Sequence, residues 1–86
     1  MIEVKQAVEQ AITYLRNLPV TADSSPAQVT LEEVELTEDD RYWLITLSYR
    51  DQNAYSVLSP PKYKIFKIDA ANGRVLSMKI RDVARP

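Results

Sequence analysis

An Asn72-Gly73 pair between two short apolar runs constrains the fold of this chain more than any other feature. Gly73 is the only glycine among the 86 residues. Glycine adopts a positive φ angle at little steric cost, and an Asn-Gly pair flanked by apolar residues is a strong hairpin signal. The pattern predicts a strand over residues 62–69, a tight turn, and a second strand over residues 74–82.

The spacing of apolar residues predicts one helix ahead of this hairpin. Residues 3–18 carry apolar side chains at intervals of three and four, and Pro19 ends the pattern. The predicted buried stripe consists of Val4, Val8, Ala11, Ile12, Leu15 and Leu18.

Alternation of apolar and polar side chains indicates which residues of three predicted strands share a face. Residues 28–37 alternate but change parity at Glu32-Glu33, which predicts a β-bulge that returns both halves to one face. Residues 41–50 alternate without interruption. Their predicted core face is Trp43, Ile45, Leu47 and Tyr49. In the last strand, Leu76, Met78 and Ile80 form an alternating face opposite Ser77, Lys79 and Arg81.

Consecutive antiparallel strands usually pair with each other, and an apolar helix stripe requires an apolar sheet face to cover. The sequence therefore predicts a single α+β domain over residues 1–86. In this domain, one N-terminal helix packs on a four-stranded antiparallel meander sheet, which gives two layers.

The composition restricts the possible chemistry. The chain has neither cysteine nor histidine, which excludes disulfides, thiolate chemistry and the common zinc sites, and removes the usual general base. We therefore expect no enzyme activity, no cofactor and no metal. The sequence contains no run of 18 apolar residues, so it predicts no membrane span. The acidic N-terminal segment does not resemble a signal peptide, so we expect a cytoplasmic protein if Met1 is the natural start.

Charge is distributed unevenly along the chain. Residues 1–43 hold three basic and nine acidic side chains, whereas residues 44–86 hold eight basic and three acidic ones. Six acids within residues 32–40 could form a cation site, but the turn lacks the glycine of a calcium loop, and a solvated strand face is the favoured interpretation. The basic final hairpin could bind nucleic acid, but alternation separates Phe66 from Lys67, and the pattern favours cross-strand pairing instead.

The segment Tyr63-x-Ile-x-x-Ile68-Asp69-Ala-x-x-Gly73-x-Val75-Leu76 resembles a PepSY-type domain, a small module with a cystatin-like arrangement of helix on sheet. The resemblance implies a domain that binds or restrains peptidases and has no catalytic residues. It also implies structural roles in the turn for Asp69, as a side-chain cap, and for Gly73. Typical members are exported or membrane-associated, whereas no export signal is visible here.

Residues 51–61 form the longest interior connection and are rich in apolar side chains. We expect this loop either to pack over the core or to contact a partner through Tyr55, Val57, Leu58, Pro60 and Pro61. The predicted function is a non-catalytic protein-binding module that restrains a peptidase. The alternatives are a bacterial immunity protein that blocks a toxin and a small-ligand-binding domain. We expect a monomer, with an edge-to-edge dimer between acidic residues 28–37 and basic residues 74–82 as a minor hypothesis.

Overall fold

The computed structural model describes residues 1–17, 26–51 and 61–81, and has the predicted architecture. Helix α1 (Val4–Asn17) precedes four strands, β1 (Pro26–Leu36), β2 (Tyr42–Asp51), β3 (Lys62–Asp69) and β4 (Val75–Ile80). The strands form one antiparallel sheet in the order β1-β2-β3-β4, and α1 packs on one of its faces. The α+β meander predicted from the sequence is therefore confirmed.

Helix α1 starts at a partial capping box. The Glu3 N–H, just ahead of the first turn, donates to the Gln6 side-chain oxygen at 3.2 Å, and the Ala7 N–H donates to the Glu3 carbonyl. The most buried line along the helix is Ala7, Ala11 and Leu15. The predicted stripe is wrong at Val4, which is 40% exposed, and it omitted Ala7, whose small side chain allows the helix to lie close to the sheet.

The predicted bulge in β1 is confirmed. Leu31 pairs with Leu47 and Glu33 pairs with Thr46, so Glu32 is the extra residue between them. A second irregularity lies between Ala27 and Thr30. Because one extra residue reverses the alternation, the bulge keeps the apolar side chains of both halves of β1 on the face that α1 occupies.

The core lies between α1 and the central strands. The side chains of Ile45, Leu47, Phe66 and Ile68 are fully buried there, and Tyr49 is 6% exposed. This confirms the predicted core face of β2, with Trp43 packed at its margin. In β4, Met78 packs against the core, but a register shift opposite Lys67 and Ile68 brings Val75 to the core as well and leaves Leu76 44% exposed. Strict alternation was therefore the wrong assumption at that position.

Two turns with side-chain caps, β1–β2 and β3–β4, close one end of the sheet. Between β3 and β4, Gly73 has φ +81°, and its N–H donates to the Asp69 carbonyl at 2.8 Å. The Asp69 carboxylate accepts the Ala71 N–H at 2.7 Å, and the Asn72 side chain accepts the Arg74 N–H at 2.9 Å. The roles predicted for Asp69 as a cap and for Gly73 as the left-handed residue are thus both confirmed.

The residues ahead of α1 are tied to this same end. The Ile2 N–H donates to the Ala70 carbonyl at 2.7 Å, and the Trp43 indole N–H donates to the Ile2 carbonyl at 3.2 Å. These two bonds fix where α1 begins over the sheet. At 14 residues, α1 is too short for a bilayer span, and the described part of the chain contains no other helix that could cross one.

Candidate interaction surfaces

The partner-binding residues predicted from the sequence fall largely outside the described ranges. Tyr55, Val57, Leu58 and Pro60 are not among the described residues, whereas Pro61 is described and half-buried. Strand β2 ends at Asp51, and β3 begins at Lys62, with Tyr49 paired to Lys62. The connection therefore leaves and re-enters the sheet at the end opposite the two capped turns.

A cross-strand row on the helix side lies near this end. Leu31, Leu47, Lys64 and Ile80 are register partners across all four strands. Leu47 is fully buried in the middle of the row, but Leu31 is 45% exposed and Ile80 is 75% exposed at its two ends. We define the loop-end surface as Leu31, Ile80 and Pro61, next to the points where the β2–β3 connection joins the sheet.

The exposure of these side chains follows from the relative widths of helix and sheet. A helix with its side chains is about 10–12 Å across, whereas the axes of the outer strands in a four-stranded sheet lie about 14 Å apart. One helix therefore cannot cover the whole sheet: α1 contacts all four strands, β2 and β1 most, and leaves apolar side chains exposed at both margins. Alternation in the sequence correctly places Ile80 on the same face as Met78, the face on which α1 packs. Its exposure to solvent depends on how much of that face the helix covers, which alternation does not show.

The opposite face of the sheet, which we call the outer face, has no helix over it in the described part of the chain and carries graded charge. Glu33 and Glu35 lie on β1 at one margin, and Lys79 lies on β4 at the other. Between them are the half-buried side chains of Leu44 and Ile65. The margins of the outer face therefore carry opposite charge, acidic on β1 and basic on β4.

Charged side chains lie across the middle of this outer face. The Arg81 guanidinium donates to the Thr46 hydroxyl at 2.8 Å and forms an ion pair with Glu33. The Ser48 hydroxyl donates to the Glu32 carboxylate at 2.7 Å. These contacts account for the low exposure of Thr46, 2%, and Ser48, 5%, on a face without a helix.

Three of the six acidic residues of 32–40 have separate partners. While Glu32 and Glu33 contact other strands, Asp39 organises the β1–β2 turn, where its carboxylate accepts the Thr37 hydroxyl at 2.7 Å and the Arg41 N–H at 3.1 Å. The bond from Thr37, reinforced by the bond from Arg41, holds the pKa of Asp39 below its ordinary value. Within residues 1–17, 26–51 and 61–81, no three acidic side chains converge as a metal site would require.

The basic residues of the final hairpin are divided between the two faces. Phe66 is fully buried beneath α1, where the ring of Tyr14 contacts it edge-on, so it offers no surface for base stacking. Lys67 lies on the outer face with its ammonium group 4.2 Å from the centre of the Tyr42 ring. The predicted separation of Phe66 and Lys67 is therefore confirmed.

An open depression lies between the second half of α1 and the β3–β4 turn. Its volume is about 500 Å³, and its lining includes Gln10, Tyr14, Asn17, Asn72, Arg74 and Val75. The amide, hydroxyl and guanidinium groups there could hydrogen-bond a polar ligand. Sequence reasoning did not foresee this space, because it depends on where the helix end lies relative to the turn.

No family model matches this sequence, and neither the curated proteins nor the solved structures compared with it gave a match. The resemblance to PepSY-type domains accordingly remains a prediction.

Proposed function

We propose that this protein is a non-catalytic protein-binding module whose partner contacts the loop-end surface. The observation that carries the proposal is the 75% exposure of Ile80, an apolar β-branched side chain, at the end of the sheet where the β2–β3 connection attaches. Ile80 and Leu31 stand about 14 Å apart on the two outer strands, and exposed apolar groups typically mark an interaction site when a partner spans them.

Three features around Ile80 support an extended contact. Leu31 belongs to the same cross-strand row and is 45% exposed. The sequence of the connection that joins the sheet at this end includes Tyr55, Val57 and Leu58, which lie outside the described residues. Lys64 stands between the two exposed apolar positions in the row and supplies a positive charge. A surface of this composition suits a partner with an apolar centre and acidic groups around it.

The absence of histidine and cysteine supports a role without catalysis. Ser48 is the one serine that pairs with a carboxylate among the described residues, and its hydroxyl already donates to Glu32 while the residue is only 5% exposed. A substrate atom has little access to that oxygen. Because PepSY-type domains are associated with peptidases, a peptidase is the first partner class to test, and a toxin is the second.

The test compares two exposed apolar residues of the same strand. Ile80→Glu places a charge on the loop-end surface, and Leu76→Glu is the matched control, since Leu76 is 44% exposed near the other end of β4. Immobilised wild-type and variant proteins are exposed to an extract of the source cells, and captured proteins are quantified by mass spectrometry. Urea unfolding followed by Trp43 fluorescence checks that both variants remain folded.

We expect Ile80→Glu to lose a specific captured protein that Leu76→Glu retains, with the stability of both close to wild type. A captured hydrolase would identify the peptidase role, and a captured toxin would identify the immunity role. Equal capture by the two variants, or no specific capture by the wild type, would contradict the proposal.

A small-ligand-binding role is the second candidate, and the depression lined by Tyr14, Asn72 and Arg74 favours it. Its volume, about 500 Å³, is within the usual range of ligand sites, although it is open to solvent. Nuclear magnetic resonance titration with a library of small polar compounds tests this role. Shifts confined to Asn72, Gly73 and Arg74 would support it, and their absence would remove it.

A further inference from the structure

We propose that two copies of this chain associate through their outer faces, in a two-fold dimer whose axis runs parallel to the strands between β2 and β3. This surface is separate from Leu31 and Ile80, which lie on the helix side of the sheet. The inference therefore does not depend on the proposed function. A second copy fits the outer face because the charges at its margins and its strand register are complementary to themselves under a two-fold rotation.

The charge pattern of the outer face is complementary to itself. A two-fold axis parallel to the strands places β1 of one copy over β4 of the other, so acidic margins meet basic margins at both ends of the interface. An axis perpendicular to the strands and lying in the interface would instead stack β1 on β1, and would bring Glu33 and Glu35 near their own copies. Like-charge contacts of that kind oppose association.

The strand register states which residues then meet. Glu33, Thr46, Ile65 and Lys79 form one continuous cross-strand row on the outer face. Rotation about an axis parallel to the strands leaves the position along the strands unchanged. Before the small rotation that aligned sheet packing introduces, Glu33 of each copy therefore lies over Lys79 of the other, and the Arg81 guanidinium that covers Thr46 lies over Ile65.

Pairing through strand edges does not give the same closed dimer. Acidic β1 of one copy against basic β4 of another is a head-to-tail contact, which repeats into open chains unless it closes as a ring. Two β1 edges or two β4 edges would give a closed dimer but would juxtapose like charges. The face-to-face arrangement is the one that joins opposite charges and stops at two copies.

The size of the interface sets its expected strength. Four strands at ordinary spacing, each about eight residues long, present a face on the order of 500 Å². Two such faces together bury about 1,000 Å², the lower end of specific interfaces, where association is weak or transient. We therefore expect a dimer with a dissociation constant in the micromolar range that weakens as salt is raised, because its specificity is electrostatic.

The test is a charge swap measured by sedimentation equilibrium across the micromolar range. Glu33→Lys and Lys79→Glu should each raise the dissociation constant about tenfold or more, because each creates two like-charge contacts per dimer. The double variant restores opposite charges and should recover most of the wild-type association. Glu38→Lys in the β1–β2 turn and Lys5→Glu on α1 make the same charge changes away from the outer face, and should leave association unchanged.

Glu33→Lys also removes the ion pair that Glu33 forms with Arg81 of its own chain. If that loss destabilises the variant, Lys79→Glu still tests the contact between copies, because it leaves this ion pair intact. Ile65→Thr, at the centre of the outer face, separates face packing from edge pairing and should also weaken the dimer. A wild-type protein that stays monomeric at all concentrations would overturn the proposal. So would open-ended oligomers, a dimer insensitive to Ile65→Thr, or failure of the double variant to recover association.

Discussion

Replacement of Gly73 by alanine separates the backbone requirement of the β3–β4 turn from its packing. Gly73 has φ +81° and is buried against the start of α1. A Cβ atom added there would lie 3.5 Å from Ile2 Cδ1 and 3.8 Å from Gln10 Cγ, which are ordinary van der Waals distances. The variant therefore meets no steric clash, and its cost comes from the left-handed torsion.

The magnitude follows from two opposing contributions. A left-handed conformation costs an L-residue about 1–2 kcal/mol relative to glycine. Alanine also restricts the unfolded chain, which returns about 0.4–1 kcal/mol of stability. We expect Gly73→Ala to lower the free energy of unfolding by about 1 kcal/mol and the melting temperature by about 4–8 °C.

Urea unfolding followed by Trp43 fluorescence measures this change, because Trp43 is the only tryptophan and its indole N–H is bonded to Ile2 in the folded state. Gly73→Asn is the discriminating control. Asparagine tolerates the left-handed region better than alanine, so it should cost less despite its larger side chain. A Gly73→Ala protein as stable as wild type, or a larger loss for asparagine than for alanine, would refute the torsional argument.

Two further predictions concern side-chain contacts. Thr37→Val removes the hydroxyl that bonds Asp39, so the pKa of Asp39 should rise toward its ordinary value of 3.8, as measured by carbon-detected magnetic resonance titration, whereas Thr37→Ser should keep the pKa low. Because this pKa is lowered in the folded state, the stability it contributes is present above pH 3.8 and is lost as pH falls through the folded value. Arg81→Ala removes an ion pair and the donor to the Thr46 hydroxyl, so it should destabilise the protein by about 1 kcal/mol in urea unfolding. Arg74→Ala, on the exposed turn, should change stability by less than half as much, and equal losses for the two arginine variants would contradict the role assigned to the Thr46 contact.

Local patterns in the sequence predict most of the fold. The Asn72-Gly73 turn depends on the torsional freedom of one residue, Gly73. The bounds of β3 follow from the alternating run of residues that precedes this turn in the sequence. The bulge at Glu32 could be predicted because the two halves of β1 bury their apolar side chains on one face only if an extra residue lies between them. These features are set by neighbours in the chain, so the chain alone is enough to find them.

Features that depend on the relative placement of distant elements could not be predicted in this way. The shift that makes Val75 a core residue depends on how β4 pairs with β3. The Arg81 contact with Thr46 spans 35 residues in sequence and requires the register of three strands. The exposure of Ile80 depends on how much of the sheet a single helix covers. The candidate site was therefore identified in the sequence only by the composition of its loop.

Site-specific photo-crosslinking in the source cell tests the central claim, binding of a partner at the loop-end surface, most directly. A benzophenone amino acid is placed at position 80 in one variant and at position 76 in another, since both native side chains are exposed on β4. We predict a discrete crosslinked product with a different polypeptide from position 80 and none from position 76. The same products from both positions, or none from position 80, would contradict the claim.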